Sequence, residues 1–355
     1  MSNAILVNRP KDLTVNWAQR IVDESFAGIT VSKVEQIAID VGTTTRVRIK
    51  VDHDGSQSIP RFWFVKMPSM AWRARMITSL PRLLPTEIRF YREMAPLIPI
   101  HKPAVLAAKS KLGLGSTLVL ADVKESGGRP GRTSDELTAD QAMLVINLLA
   151  ELHAGFWQES PIEGDFSWMS GPVRKLEDHL GTALAVPLMK HGLRLANGVV
   201  DNSLFCPAIH YARRRREVMR FLGQGAQTIV HHDCHPGNLF WQQNKPGLLD
   251  WQMVRTGEGI SDVAYFLATS LTPENRRCHE ISLLNYYVET LQKKGIKVSL
   301  EDTLPRYRAH LIYPFEAMLV TLAVGGMMVK QDNLEMIRRA AAAVKELDTF
   351  SELPF

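Results

Sequence analysis

The segment His231-His232-Asp233-Cys234-His235-Pro236-Gly237-Asn238, followed by Leu248-Leu249-Asp250-Trp251, brings an acid, an amide and a second acid into one short stretch. That set suits phosphoryl transfer. A transition state that spreads charge over phosphoryl oxygens needs little covalent help, so positioning and charge neutralisation carry the catalysis. One carboxylate orients and deprotonates a hydroxyl. An amide oxygen and another carboxylate suit Mg²⁺, which prefers hard oxygen ligands and keeps several waters. Asp233 fits the first role, and Asn238 and Asp250 fit the second. Two other readings of these residues stay open. His231, Cys234 and His235 could be zinc ligands, although Pro236-Gly237 argues against the helix on which closely spaced zinc histidines usually sit. The stretch could also be a plain polar turn.

The surrounding residues predict how these groups are held. Thr228-Ile229-Val230 and Leu239-Phe240-Trp241 are short β-type runs around a loop. A turn at Asn244-Lys245-Pro246-Gly247 is expected to lead into Leu248-Leu249, making a hairpin that ends at Asp250. Upstream, Val34, Ile37, Ile39 and Val41, then Val47, Ile49 and Val51, flank Gly42-Thr43-Thr44-Thr45. This reads as a hairpin whose small tip residues, Gly42, Thr43 and Thr44, can lay backbone N–H groups over phosphates. Phe62-Trp63-Phe64-Val65-Lys66 ends an apolar run on a lysine, which is costly to bury without an anion. We pair it with Glu87, with Glu93 as the fallback. Glu87 is expected in a helix that starts after Pro85 and is capped by Thr86.

Taken in order, Lys66, Glu87, His231-x-Asp233-x-His235-x-x-Asn238 and Asp250-Trp251 resemble the aminoglycoside phosphotransferase and choline kinase superfamily. Glu87-x-x-Phe90-Tyr91, Asp250-Trp251-Gln252 and Asp262-Val263-Ala264-Tyr265-Phe266-Leu267 resemble its ecdysteroid kinase-like branch most. The resemblance spans residues 30 to 330 and is most specific over 230 to 267. It implies an α+β, two-lobed protein kinase-like fold, with a small N-terminal antiparallel sheet lobe carrying one helix and a larger, mainly helical C-terminal lobe. By the resemblance, Asp233 is the catalytic base, His235 stands near the transferred phosphate, and Asn238 and Asp250 bind Mg²⁺. Lys66, paired with Glu87, contacts the nucleotide phosphates, and Leu118 to Val123 with Asp122 resembles the strand and hinge that meet the base. The implied cofactors are Mg²⁺ and ATP, with GTP as the alternative. Two positions depart from the pattern. His232 replaces a glycine that permits positive φ, and Ala121 replaces an acidic residue before Asp122.

The chain has 355 residues and 45% hydrophobic content, enough for a core in each lobe. The polar stretch Lys124 to Arg132 suggests an N-terminal lobe over 1–122 and a C-terminal lobe over 123–355. A helix is expected from Thr138, with Gln141 completing a capping box and Leu144, Leu148, Leu149 and Leu152 on its buried side. Asp262 reads as a helix cap and His153 as a hydrogen-bonded core histidine. Three cysteines without paired spacing, and no leader, predict a reducing cytoplasm. Ile312 to Val329 reads as a buried helix rather than a membrane span. The net charge of +5 and the run Arg213 to Arg216 read as a solvated helix face, without a nucleic-acid partner. The oligomeric state is left open.

An aminoglycoside acceptor calls for a dense acidic cluster, which the C-terminal half lacks. It offers aromatics and methionines instead: Trp157, Phe166, Trp168 and Met169, then Tyr313, Phe315, Met318, Met327 and Met328. These either line an apolar acceptor pocket or pack the core. The expected function is ATP-dependent O-phosphorylation of a small-molecule hydroxyl, on an apolar alcohol of sterol or terpenoid type. The alternatives are a pseudokinase that binds without transfer and an aminoglycoside kinase.

Overall fold

A computed structural model describes residues 5–26, 28–56, 59–71, 82–158 and 166–355. The chain divides into two compact units. The first comprises Met1–Pro130, Phe240–Asn244 and Leu249–Met253. The second comprises Gly131–Leu239, Lys245–Leu248 and Val254–Phe355.

In the first unit, helix α1 (Val15–Ser25) starts at Thr14, whose hydroxyl caps the Trp17 N–H at 3.2 Å. Five antiparallel strands follow: β1 (Val31–Val41), β2 (Thr44–His53), β3 (Phe62–Pro68), β4 (Val105–Lys111) and β5 (Gly115–Ala121), in sheet order β1-β2-β3-β5-β4. Period-two alternation sets the register. Val47 lies opposite Val65, and Val65 opposite Val119, and all three are fully buried. On this face Trp63 meets Trp17 of α1 edge-on, with ring centroids 6.2 Å apart. Strand β1 departs from the expectation, because Ile37, Ile39 and Val41 are exposed. It is an edge strand, with a register shift between Gln36 and Ala38. Helix α1 is an addition to the one helix expected in this part of the chain.

Helix α2 (Leu83–Arg89) continues into a π-turn, Phe90–Met94. It begins ahead of Pro85, so Thr86 is not its cap. Proline is tolerated in a first helical turn because its missing N–H would have no intrahelical acceptor there.

The second unit is mainly helical. It holds α3 (Ala139–Ala154), α4 (Pro172–Leu195), α5 (Phe205–Leu222), α6 (Ile260–Ser270), α7 (Pro273–Lys293), α8 (Leu300–His310), α9 (Ile312–Val324) and α10 (Lys330–Glu346). The capping box of Thr138 and Gln141 is present. Leu148, Leu149 and Leu152 are buried, but Leu144 is exposed and lies off the core stripe. Helix α9 buries Phe315, Met318 and Leu319. Among the described residues no helix is long and apolar enough to cross a membrane. Arg215, expected on a solvated face, is buried instead. Its Nε lies 2.6 Å from Glu316 of α9, which also accepts from the Tyr211 hydroxyl at 2.7 Å. A buried arginine of this kind persists because a carboxylate meets it.

Strand β6 (Gln227–Val230) pairs antiparallel with β9 (Arg255–Glu258). Between them the chain passes through β7 (Leu239–Gln242) and β8 (Lys245–Leu248). The reversal falls at Gln243-Asn244, both at positive φ, rather than at Asn244 to Gly247. Two residues in that conformation make the tight turn that suits hairpin twist, so Lys245-Pro246-Gly247 enters the strand.

Candidate active site

The loop 231–238 follows β6, and its backbone is held from below by one carboxylate. Asp262, in the first turn of α6, accepts the His231 N–H at Oδ2 and the His232 N–H at Oδ1, both at 2.7 Å. His153, fully buried on α3, places Nε2 3.3 Å from Asp262 Oδ2. Its Nδ1 lies 2.9 Å from the Tyr287 hydroxyl. The tautomer that satisfies all three groups carries the proton on Nε2 and accepts from tyrosine at Nδ1. His153 is thus the hydrogen-bonded core histidine expected. Asp262 corrects the expectation of a helix cap: it spends its oxygens on the loop rather than on its own helix, whose N-terminus has no side-chain cap. Its place at a helix start made a cap the natural reading, and no pattern in the sequence ties it to residues 231 and 232.

Asp233 is oriented from both sides. Tyr265, one turn along α6 from Asp262, donates its hydroxyl to Oδ1 at 2.8 Å. The Asn238 amide nitrogen donates to Oδ2 at 2.9 Å and to the Asp233 carbonyl at 3.0 Å. Each carboxylate oxygen keeps a lone pair for a further donor. Because the Asn238 amine faces Asp233, its carbonyl oxygen remains as a hard acceptor. His235 Nδ1 accepts the Gly237 N–H at 3.1 Å, and Nε2 stands 3.8 Å from Asp233 Oδ1. Tyr265 lies within the motif quoted above, but its sequence position alone does not mark it as a partner of Asp233.

His232 takes φ +68, the left-handed conformation that a glycine at this position would adopt freely. Tyr313 of α9 stacks on its ring, with centroids 4.0 Å apart and planes 22° off parallel, and donates its hydroxyl to the His232 carbonyl at 3.3 Å. Burial, with Arg255 and Arg174 nearby, pushes the His232 imidazole well below its ordinary range. Arg174 and Arg255 both pair with Glu177 of α4, at 2.6 and 2.8 Å.

The zinc reading fares poorly. Burial pushes the Cys234 thiol well above its ordinary range, whereas a zinc ligand must be thiolate. Among the described residues no group of three or more His, Cys, Asp or Glu side chains could hold a metal. All three cysteines are free thiols.

In the first unit, Lys66, followed in β3 by Met67 and Pro68, is buried with its Nζ 2.8 Å from both Glu87 oxygens and 3.1 Å from Asp250 Oδ1. Glu87 is thus the partner, and Glu93 instead pairs with Arg89 on the exposed side of the helix. One cation between two carboxylates leaves a surplus negative charge. The ammonium is held above its ordinary range by Asp250 and Glu87 against the opposing effect of burial. Glu87 is pushed up to about 7, chiefly by burial and also by the Asp250 charge, while Lys66 pulls the other way. Asp250 itself sits at φ +59. The next residue, Trp251, stacks on Phe90 of the α2 extension, with centroids 4.0 Å apart and planes 9° off parallel. That stack fixes the acid-bearing turn to the helix that carries Glu87.

The hairpin tip is tightly tied. Gly42 donates its N–H to the Thr44 carbonyl at 3.0 Å and accepts from the Ser69 hydroxyl at 2.7 Å. Thr44 is buried and Thr43 half-buried. Asp122 is buried, ion-paired with Arg48, and accepts the Lys124 N–H at 2.9 Å. Its carboxylate is occupied in shaping the turn after β5. Of the residues suggested for an acceptor pocket, Met169, Phe315 and Met318 are core, whereas Tyr313 lies against the loop.

The sequence profile of the Phosphotransferase enzyme family matches residues 54–292, and the chain belongs to that family. An uncharacterized kinase-like protein of Caenorhabditis elegans is 23% identical over 215 residues, which is 55% of this chain and 53% of that protein. The chain therefore spans about half the length of the curated relative it matches. Among solved structures, a choline kinase of Cryptosporidium parvum superposes with a TM-score of 0.55 at 12% identity, covering 96% of this chain and 98% of that one. That likeness carries the fold: a two-lobed, kinase-like α+β architecture.

Proposed function

We propose that this protein is a small-molecule kinase that transfers the γ-phosphoryl group of ATP to a hydroxyl. The observation that carries the reading is Asp233, a carboxylate oriented by Tyr265 and Asn238 with a lone pair left on each oxygen. In the reaction proposed, Asp233 accepts the acceptor hydroxyl proton as that oxygen bonds to phosphorus and the bond to the ADP oxygen breaks. Lys66, kept charged by Glu87 and Asp250, steadies the nucleotide phosphates, and His235 stands ready beside the transferred group. The donor set fits Mg²⁺, since Asn238 offers an amide oxygen and Asp250 a carboxylate. When bound, the ion supplies neutralisation of phosphate charge. Gly42, Thr43, Thr44 and the backbone around Asp122 are the proposed nucleotide contacts. We place the lobe boundary at residue 122 and the enzyme in the cytoplasm.

The proposed acceptor is a neutral, apolar alcohol of sterol or terpenoid type. What supports this over a polycationic aminoglycoside is that Glu177 and Asp178, the carboxylates beside the loop, are already paired with Arg174 and Arg255. What supports transfer over a pseudokinase is that His232 takes the positive φ of a glycine and the Asp233 loop keeps its hydrogen bonds. The test is incubation with Mg·ATP, or Mg·GTP, and a pool of sterols, terpenoid alcohols, choline-like amines and aminoglycosides, with products scored by mass. One added phosphate on an apolar alcohol is expected, with loss of at least about a hundredfold in rate in Asp233→Asn. Nucleotide binding without any product would favour the pseudokinase, and an aminoglycoside product would overturn the acceptor class.

A further inference from the structure

The second unit contains a cavity of about 230 Å³ at the end of the β6 and β9 pair where Gln227 meets Glu258, opposite the end that leads into the Asp233 loop. Its apolar wall is made by Trp157, Ile260, Tyr287, Leu291 and Val298. Most of its charged groups are already engaged. Glu258 accepts the Gly225 N–H at 2.6 Å and pairs with Arg306 at 2.9 Å and His310 at 3.2 Å. Asp302 accepts from the Ser299 hydroxyl at 2.6 Å. Lys297 stands exposed at the rim and makes no ion pair among the described residues.

The same cavity touches the support of the phosphoryl-transfer loop. Tyr287 lines it and bonds His153, which meets Asp262, which holds the N–H groups of His231 and His232. Gly259, also in the lining, lets these groups crowd the start of α6. A Cβ there would stand 2.6 Å from the Tyr287 hydroxyl and 2.7 Å from His153 Nδ1.

We propose that this cavity is a second ligand site, for a small aromatic carboxylate, and that its occupancy is transmitted to the Asp233 loop through Tyr287, His153 and Asp262. Size and charge define the class. An apolar cavity of about 150 Å³ suffices for benzene, so this one takes a bicyclic ring. Lys297 at the mouth supplies the counter-charge for one carboxylate. A group on the ring that competes for the Tyr287 hydroxyl, or shifts it, alters what His153 gives to Asp262.

The test uses naphthalene-2-carboxylate as probe, titrated into ¹⁵N-histidine-labelled full-length protein by calorimetry and NMR. The probe is expected to bind and to move the His153, His231 and His232 signals. Val298→Trp and Ala226→Leu, which fill the cavity, each weaken binding at least about tenfold. Either one suffices if the other melts early. Lys297→Ala weakens binding about threefold, as loss of an exposed pair does. In Tyr287→Phe the probe still binds but the His231 and His232 signals stay in place. No binding at millimolar probe, or binding that survives both filling variants, overturns the site. Wild-type binding with unmoved His231 and His232 overturns the coupling. Binding is read directly, so an inactive phosphotransferase would leave this result standing.

Discussion

At the scale of residues, the two most informative positions are ones where chemistry and backbone pull against each other. His232 holds φ +68, which costs a non-glycine residue about 1–2 kcal/mol, and regains part of that from its stack on Tyr313, worth about 0.5–1.5 kcal/mol. Replacement by glycine loses the stack and relieves the strain, so the melting temperature should move little. His232→Ala loses the stack and keeps the strain, and should be less stable than the glycine variant by about 1 kcal/mol. Denaturant melts of the two variants decide it, and equal stability would mean no strain is stored there. The sequence disclosed this site through one departure from a motif, because a histidine in a glycine's place raises the φ question directly. Glu87 gives the pH-dependent case. Its pKa rises from 4.5 in the unfolded chain to about 7 in the folded protein. The folded protein therefore binds that proton more tightly, and the stability this group contributes falls as pH climbs from about 4.5 to 7. Glu87→Gln removes that slope, so melting curves should show the variant gaining on the wild type across this window and holding a constant difference above it. A variant that instead loses ground to the wild type as pH climbs, within the range below 4.5, would mean that Lys66 dominates and the shift has the opposite sign.

At the scale of elements, legibility followed how local the cause was. The β2 and β3 alternation and the Thr138 capping box each have their cause within a few residues and stand where the sequence places them, and β3 carries its lysine as expected, though it runs two residues beyond it. What stayed hidden depends on partners distant in sequence. Arg215 reads as solvated until Glu316, more than a helix away, is placed against it, and Asp262 reads as a cap until β6 delivers two N–H groups to it. The crossing of α4 and α9 is a further example, because nothing in the sequence marks Gly192 except its presence inside a long helix. Helix propensity alone says that Gly192→Ala should stabilise by about 1 kcal/mol. At this position, however, a Cβ would run into the Leu319 carbonyl, and backbone on an adjoining helix cannot swing aside as a side chain can. Overpacking of this kind costs about 1–3 kcal/mol, so the variant should melt earlier than the wild type, and calorimetry showing a gain would mean that the two helices separate freely.

At the scale of the whole molecule, the chain divides its candidate site residues between its two compact units. Lys66, Glu87 and Asp250 belong to the unit built on the five-stranded sheet, while Asp233, His235 and Asn238 belong to the helical one. Each unit has its own buried apolar core, so heating should not follow one two-state transition, and the calorimetric enthalpy should exceed the van't Hoff value. Nucleotide acts on this by mass action. A ligand that binds only folded protein adds about 2.7 kcal/mol at a concentration of about one hundred times its Kd. Above about pH 7, where Glu87 as well as Asp250 is ionised, the surplus negative charge of one lysine between two carboxylates predicts the ion dependence of that effect. ATP alone brings more negative charge toward Asp250 and is opposed, whereas a magnesium-bound nucleotide brings cationic charge to the same carboxylate. Mg·ATP should therefore raise the melting temperature by several degrees where ATP with a chelator raises it little. In Asp250→Asn, which removes the surplus charge, the two forms should differ far less. Equal shifts by ATP with and without magnesium in the wild type would place the nucleotide away from Asp250 and remove that residue from the proposed metal site.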